Sequence, residues 1–210
     1  MIQQFEKYYG MTPCVYTIPA GSLPELKYPK EGRKPYSLIT ASRLASEKHV
    51  DWICKAVIQA RAEVPELSLD IYGVGGEREK LENIIRDNNA SSYIHLMGQH
   101  DLSEVYQNYE AYIAGSTSEG FGLTLMEAVG GGLPIIGFDV RYGNPTFIRD
   151  GENGYLLELP EEDKDRVEAL RKGIVDLFKQ DLEKCHEVSY EVAKDFLTSN
   201  VQEKWREAVC

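Results

Sequence analysis

Short apolar runs alternate with amphipathic stretches along most of this chain. Residues 36–41, Tyr-Ser-Leu-Ile-Thr-Ala, read as a buried strand. Residues 49–64 follow as a helix, with Val50, Ile53, Val57 and Ala60 on one face and Lys55, Gln59, Arg61 and Glu63 elsewhere. The alternation continues with a strand at 67–72, a helix at 77–89 with Leu81, Ile84 and Ile85 inward, and a strand at 93–97. It then predicts a helix at 102–109, a strand at 111–114, a helix after Gly122, and strands at 134–138 and 154–157. From Glu162 the chain reads as helical to its end, with breaks expected near Gly173, Asp181 and Ser199. Residues 1–35 hold five prolines and little periodicity, and read as a linker or the tail of a preceding domain, with one short strand and turn at 16–21.

Apolar strands alternating with helices imply an α/β fold, a Rossmann-like parallel sheet covered on both faces with right-handed crossovers. In such sheets ligands sit outside the carboxyl ends of the strands. The glycine clusters at 73–76, 120–122 and 137–143 all follow predicted strands. They therefore converge on one edge of the sheet, which no single motif would establish.

The most informative stretch is Glu119-Gly-Phe-Gly-Leu-Thr-Leu-Met-Glu127. Gly120 and Gly122 let backbone approach a ligand at a helix start, where free amides and the helix dipole favour an anion. Glu119 precedes the loop and Glu127 lies about a turn into the helix. An anion cradle with an acid on either side suits a ligand that is anionic in the middle and hydroxyl-rich at both ends, as a nucleotide sugar is. Thr124 and Glu127 also have the spacing of a capping box, which would make Glu127 purely structural. Arg43 and Lys48, just past the first strand, are cations able to grip a diphosphate, or else solvated residues at a helix start. Gly73-Val-Gly-Gly-Glu-Arg78 begins like a dinucleotide fingerprint, but Arg78 stands where the third glycine belongs, so a tight turn is the better reading. Asp163-Lys-Asp165 has a metal-binding form but sits where acids favour a helix start.

The net charge of −11 argues against general affinity for nucleic acid or anionic membranes. No apolar run approaches the roughly 18–20 residues that span a bilayer. The four cysteines and four histidines are scattered, without ligand spacing, and read as free thiols of a reducing, cytoplasmic compartment with no structural metal.

Several motifs coincide in order and spacing: Ser42-Arg43-Leu44 with Lys48, residues 71–77 and 94–98, the paired acids at 119 and 127, Gly132-Leu-Pro134, and Asp150-Gly-Glu-Asn-Gly-Tyr155. Over about residues 36–157 the chain resembles the C-terminal, nucleotide-binding half of the family 4 retaining glycosyltransferases, which have the two-domain GT-B fold. Residues 28–35, 119–127 and 137–144 look more narrowly like bacterial enzymes that add N-acetylglucosamine to Ser/Thr of serine-rich repeat adhesins. Enzymes that glucosylate poly(glycerol phosphate) teichoic acid are also similar.

The resemblance implies that Arg43 and Lys48 bind the donor diphosphate and that Glu127 accepts hydrogen bonds from the ribose. It implies that Glu119 and the backbone of Gly120, Phe121, Gly122, Leu123 and Thr124 hold the sugar and β-phosphate, and that Met97 and Gly98 meet uracil. Glu119, Arg43 and Lys48 would act in catalysis. The donor would be a UDP-sugar, used without a metal or other cofactor. The acceptor would be a serine-rich protein or a teichoic acid, and a homologous partner subunit is conceivable; any membrane contact would be peripheral, through the absent domain or the partner. A non-catalytic, transferase-like partner subunit is the competing reading. On this view residues 36–180 form the nucleotide-sugar domain. Residues 181–210 are helices that pack on an N-terminal domain for which the chain has no room. A fragment that binds donor without useful turnover is the expectation.

Overall fold

The structure, a computed structural model, describes residues 18–209. Six strands form one parallel sheet: β1 (Ser37–Ala41), β2 (Ser68–Tyr72), β3 (Ile94–Gly98), β4 (Ala111–Ile113), β5 (Ile135–Phe138) and β6 (Gly154–Leu157). Their order is β3-β2-β1-β4-β5-β6. The chain winds outward from β1 in one direction, then returns to build the other half from β4. The reversal between β1 and β4 opens a crevice at their carboxyl ends.

Successive strand residues face opposite sides of the sheet. Leu38, Leu69, Ile71, Ile113, Ile136 and Phe138 pack beneath the helices α1 (Val50–Ala60), α2 (Arg78–Asp87) and α5 (Asp163–Leu177). Ile39, Ala41, Tyr72, Tyr112 and Ile135 face α3 (Leu123–Gly130), α4 (Gly143–Phe147) and α6 (Leu182–Lys194). The last helix is α7 (Thr198–Val209).

The strands lie where the apolar runs put them, within a residue or so at each end. The helices differ in three places. Residues 102–109 are not a helix but a loop with one 3-10 turn at Tyr106–Asn108. Asp101 Oδ1 accepts from Ser103 N at 2.9 Å, a local bond that competes with helix formation. Gly143–Phe147 is a short helix that the pattern does not predict, and it forms although it holds both a glycine and a proline. The expected break at Gly173 does not occur. A Cβ there would lie 3.0 Å from Ile136 Cγ2, so this glycine lets α5 settle on β5. The breaks expected near Asp181 and Ser199 do occur, just before Leu182 and Thr198.

Two expectations about the ends also change. The described part of the presumed linker is a strap fastened to the domain. Lys27 N donates to Gly130 O at 2.9 Å, and Leu23 is buried. The Arg33 guanidinium donates to the carbonyls of Gln107, Tyr109 and Gly131 at 3.0, 2.9 and 3.0 Å. The strand expected at 16–21 is absent from residues 18–21, and its first two residues lie outside the described chain. At the other end, α6 belongs to this domain, burying Cys185, His186, Ser189, Val192 and Ala193. Among the described residues of the last three helices, it is α7 that presents large apolar side chains to solvent, Trp205 and Val209. Among the described residues no helix is long and apolar enough to cross a membrane. Cys54 and Cys185 are buried free thiols, and burial pushes the Cys54 thiol up to about 12.

His186 on α6 is 5% exposed and donates from its ring to Glu110 O at 3.0 Å. Burial, and then the Arg33 charge, push its pKa down to about 4. The native imidazole is neutral, whereas the unfolded one protonates near 6.5, so stability present above pH 6.5 is lost as pH falls toward 4. Urea unfolding between pH 7 and pH 4 is expected to show the chain losing about 3 kcal/mol more than a His186→Gln variant. Equal losses would remove His186 as the cause.

Candidate functional site

The crevice is floored by the ends of β1, β2 and β4. Past β1 the chain runs through Ser42 and Arg43 into a 3-10 turn, Ser46–Lys48. His49 then adopts the left-handed conformation, stacks on Trp52 at 3.5 Å between ring centroids, and starts α1. Past β2, Gly73 N donates to Gly98 O at 2.7 Å, tying the ends of β2 and β3 together. Gly73 has φ +133°, and a Cβ there would come within 1.8 Å of Ser42 O. The glycine is needed because the two loops touch through backbone.

Past β4 the chain reaches Glu119 and the glycine loop. Gly122 caps α3 with φ +86°, and no side chain caps the helix. Leu123, Thr124 and Leu125 are therefore its first three residues. The capping box is not formed. The Thr124 hydroxyl pairs with the Tyr112 hydroxyl at 3.1 Å. Glu127 accepts from the Tyr106 hydroxyl at 3.0 Å. Glu127 keeps an accessible outer edge, yet the protein around its carboxylate raises its pKa above the ordinary value, a rise the Tyr106 bond opposes.

Two groups of sequence-selected residues come together. Lys48 Nζ lies 2.7 Å from Glu119 Oε2, and both side chains are about four-fifths buried. The Glu119 backbone pairs with the 141–143 loop: Gly143 N donates to Glu119 O at 2.9 Å, and Glu119 N to Arg141 O at 3.4 Å. Arg43, Thr124 and Glu127 border one open cavity of about 460 Å³, together with Tyr72, Gly73, His100 and Tyr106. Arg43 is largely exposed and bonds Glu47 at 3.1 Å, so its guanidinium is free to turn into the cavity. A smaller cavity of about 230 Å³ lies behind Tyr106 and Glu127, under the strap.

Other selected residues are placed differently. Met97 and Gly98 do not line the large cavity; the segment just after them does, from Gln99 to Leu102. Met97 O is 2.8 Å from His100 Nε2 and Gly98 O is held by Gly73 N. The Phe121 ring points inward, edge-on to Phe147 and Phe196 at 5.4 and 6.1 Å. Phe121 could serve a ligand through its backbone only. Leu123 is exposed at the helix start. Asp163 bonds Arg166 at 2.8 Å in the first turn of α5, and among the described residues no cluster of His, Cys, Asp or Glu could hold a metal.

Sequence reasoning missed Tyr72, His100 and Tyr106. Tyr72 stands at the end of an apolar strand and reads as core. Its hydroxyl is 3.0 Å from that of Tyr109, which donates to Asp70 Oδ2 at 2.6 Å. A tyrosine closing a strand whose interior holds a buried aspartate was the available signal.

The family described as "Glycosyl transferases group 1" matches residues 26–195. The chain is 55% identical over 206 residues to the UDP-N-acetylglucosamine--peptide N-acetylglucosaminyltransferase GtfA subunit of Streptococcus gordonii, covering 97% of this chain and 41% of that protein. The crystal structure of the pneumococcal O-GlcNAc transferase GtfA in complex with UDP and GlcNAc matches with a TM-score of 0.92 at 51% identity, over 99% of this chain and 42% of that one. The crystal structure of a GtfA/B complex matches with a TM-score of 0.91 at 55% identity, over 99% and 42%. The chain thus spans about two fifths of the length of these relatives.

The close approach at Gly73 has a direct test. Gly73→Ala is expected to cost about 2–4 kcal/mol in urea unfolding, from strain and the displaced Ser42 carbonyl. Gly120→Ala, whose Cβ would meet nothing within 4 Å, is expected to cost less than about 1 kcal/mol. Equal costs would show that the two loops part easily.

Proposed function

The chain belongs to the group 1 glycosyl transferases, and we propose that it is the donor-binding half of a retaining enzyme that transfers N-acetylglucosamine from UDP-GlcNAc to Ser/Thr of a bacterial surface protein. The observation that carries this reading is the gathering of Arg43, Lys48, Glu119, Glu127 and the start of α3 at the strand-order reversal. High identity to a peptide N-acetylglucosaminyltransferase favours GlcNAc and a peptide over glucose and a teichoic acid. A homologous partner subunit, suggested by the GtfA/B structure, completes the assembly.

The chemistry follows from the charges. The β-phosphate docks at the amides of residues 122–124, where the positive end of α3 meets it. Lys48 then exchanges Glu119 for phosphate, and Arg43 leaves Glu47 to grip the diphosphate. Glu119, relieved of its cation, accepts hydrogen bonds from sugar hydroxyls. Glu127, held by Tyr106, accepts them from the ribose. As the glycosidic bond breaks, negative charge grows on UDP where cations and amides already stand, which lowers the barrier. No metal is required for that neutralisation. The acceptor attacks from the face the leaving group vacates, and the leaving phosphate takes its proton. The whole reaction needs the acceptor-binding half and takes place in the cytoplasm.

Calorimetry with UDP, UDP-GlcNAc and UDP-glucose in EDTA tests the donor site. UDP is expected to bind without metal, and Arg43→Ala and Lys48→Ala each to weaken it roughly tenfold. Binding that requires a divalent cation, or that neither variant changes, would overturn the assignment.

Glu127 adds a pH dependence. Its carboxylate offers both oxygens as strong acceptors to hydroxyls only when ionised, and its pKa is raised. Affinity for uridine is therefore expected to fall on acidification from above the ordinary glutamate pKa, and Glu127→Gln to bind more weakly with a flat profile. A wild-type profile as flat as the variant's would remove Glu127 from the ribose site.

A further inference from the structure

Tyr142 is 71% exposed, unusually open for a tyrosine on a well-fastened segment. Its main chain is anchored on both sides. Its own amide and that of Gly143 donate to Glu119 O, and its carbonyl accepts from Thr146 Oγ1 at 2.8 Å. Glu119 and Tyr142 form a parallel β-bridge, which sets the two residues side by side. The side chain of Glu119 runs closely over Gly143, where an added Cβ would meet Glu119 Cγ at 2.7 Å. The ring therefore stands exposed on fixed backbone beside Glu119, the residue paired with Lys48.

We propose that Tyr142 is the platform on which the donor hexose lies, its ring facing the sugar's C–H face while Glu119 holds hydroxyls at the edge. This rests on the donor-site reading and extends it to what recognises the sugar rather than the nucleotide. A pyranose has an apolar face of axial hydrogens and a rim of hydroxyls. An aromatic ring beside a carboxylate matches both, the ring through dispersion and its negative π-face, the acid through hydrogen bonds. A pre-fixed ring with two side-chain torsions loses little entropy on binding. Nucleotide and sugar are thus recognised by separate groups: Arg43, Lys48 and Glu127 for the first, Tyr142 and Glu119 for the second.

The test compares UDP with UDP-GlcNAc by calorimetry on the full chain and on Tyr142→Ala, Tyr142→Phe and Tyr142→Trp. Tyr142→Ala is expected to leave UDP affinity within about twofold and to weaken UDP-GlcNAc roughly three- to tenfold. The aromatic replacements are expected to keep the sugar's contribution. Equal UDP-GlcNAc affinity in wild type and Tyr142→Ala, with UDP bound by both, would overturn the platform while leaving the donor site standing. Loss of UDP and UDP-GlcNAc binding in parallel would mean that Tyr142 merely holds the loop. Failure of the wild-type chain to bind UDP would overturn both readings.

Discussion

A parallel sheet covered on both faces leaves one place where backbone groups and side chains can meet a ligand without dismantling the core, its carboxyl edge. Here that edge opens where β1 and β4 diverge. Every functional assignment depends on that geometry. The cations follow β1, the first acid follows β4, and the glycine turn after β2 closes the floor. These three segments are far apart in sequence, yet the winding of the chain brings them to one edge.

Within the crevice, the Lys48–Glu119 pair is what would let a strongly acidic protein receive the dianionic diphosphate of the proposed donor. The net charge of −11 is spread over the surface and screened within about 10 Å at ordinary salt. The partly buried pair is screened far less. Each member satisfies the other, so neither is stranded with its charge unmet. In the proposed complex the donor would offer a phosphate to the lysine and hydroxyls to the glutamate, so both partners would exchange rather than lose interactions.

The strands and their order of use were legible because short apolar runs bounded by glycine and proline admit few alternatives. The convergence of the glycine clusters on one sheet edge was legible for the same reason; Arg43, Lys48, Glu119 and Glu127 were marked out by resemblance, and they stand as two groups, Lys48 with Glu119 and Arg43 with Glu127. Local patterns misled where a distant contact decided the outcome. Gly173 reads as a helix break until Ile136 is placed against it. Thr124 and Glu127 read as a capping box until Tyr112 and Tyr106 claim their oxygens. Residues 102–109 have helical apolar spacing, but local polar bonds hold them as a loop. The strap looks like a linker because its fastenings are all distant in sequence: the Arg33 guanidinium and the Leu23, Lys27 and Lys34 amides reach acceptors more than 70 positions away.

That strap gives α3 an asymmetry. A helix has two electrical poles, and at about 12 Å long this one keeps them close together. The carbonyls just beyond its negative pole are occupied: Gly130 O by the Lys27 amide and Gly131 O by the charged Arg33. The positive pole at Gly122 is left with no side-chain cap. One end is neutralised inside the protein and the other is turned outward unanswered, so the helix works as a single-ended electrode aimed into the crevice.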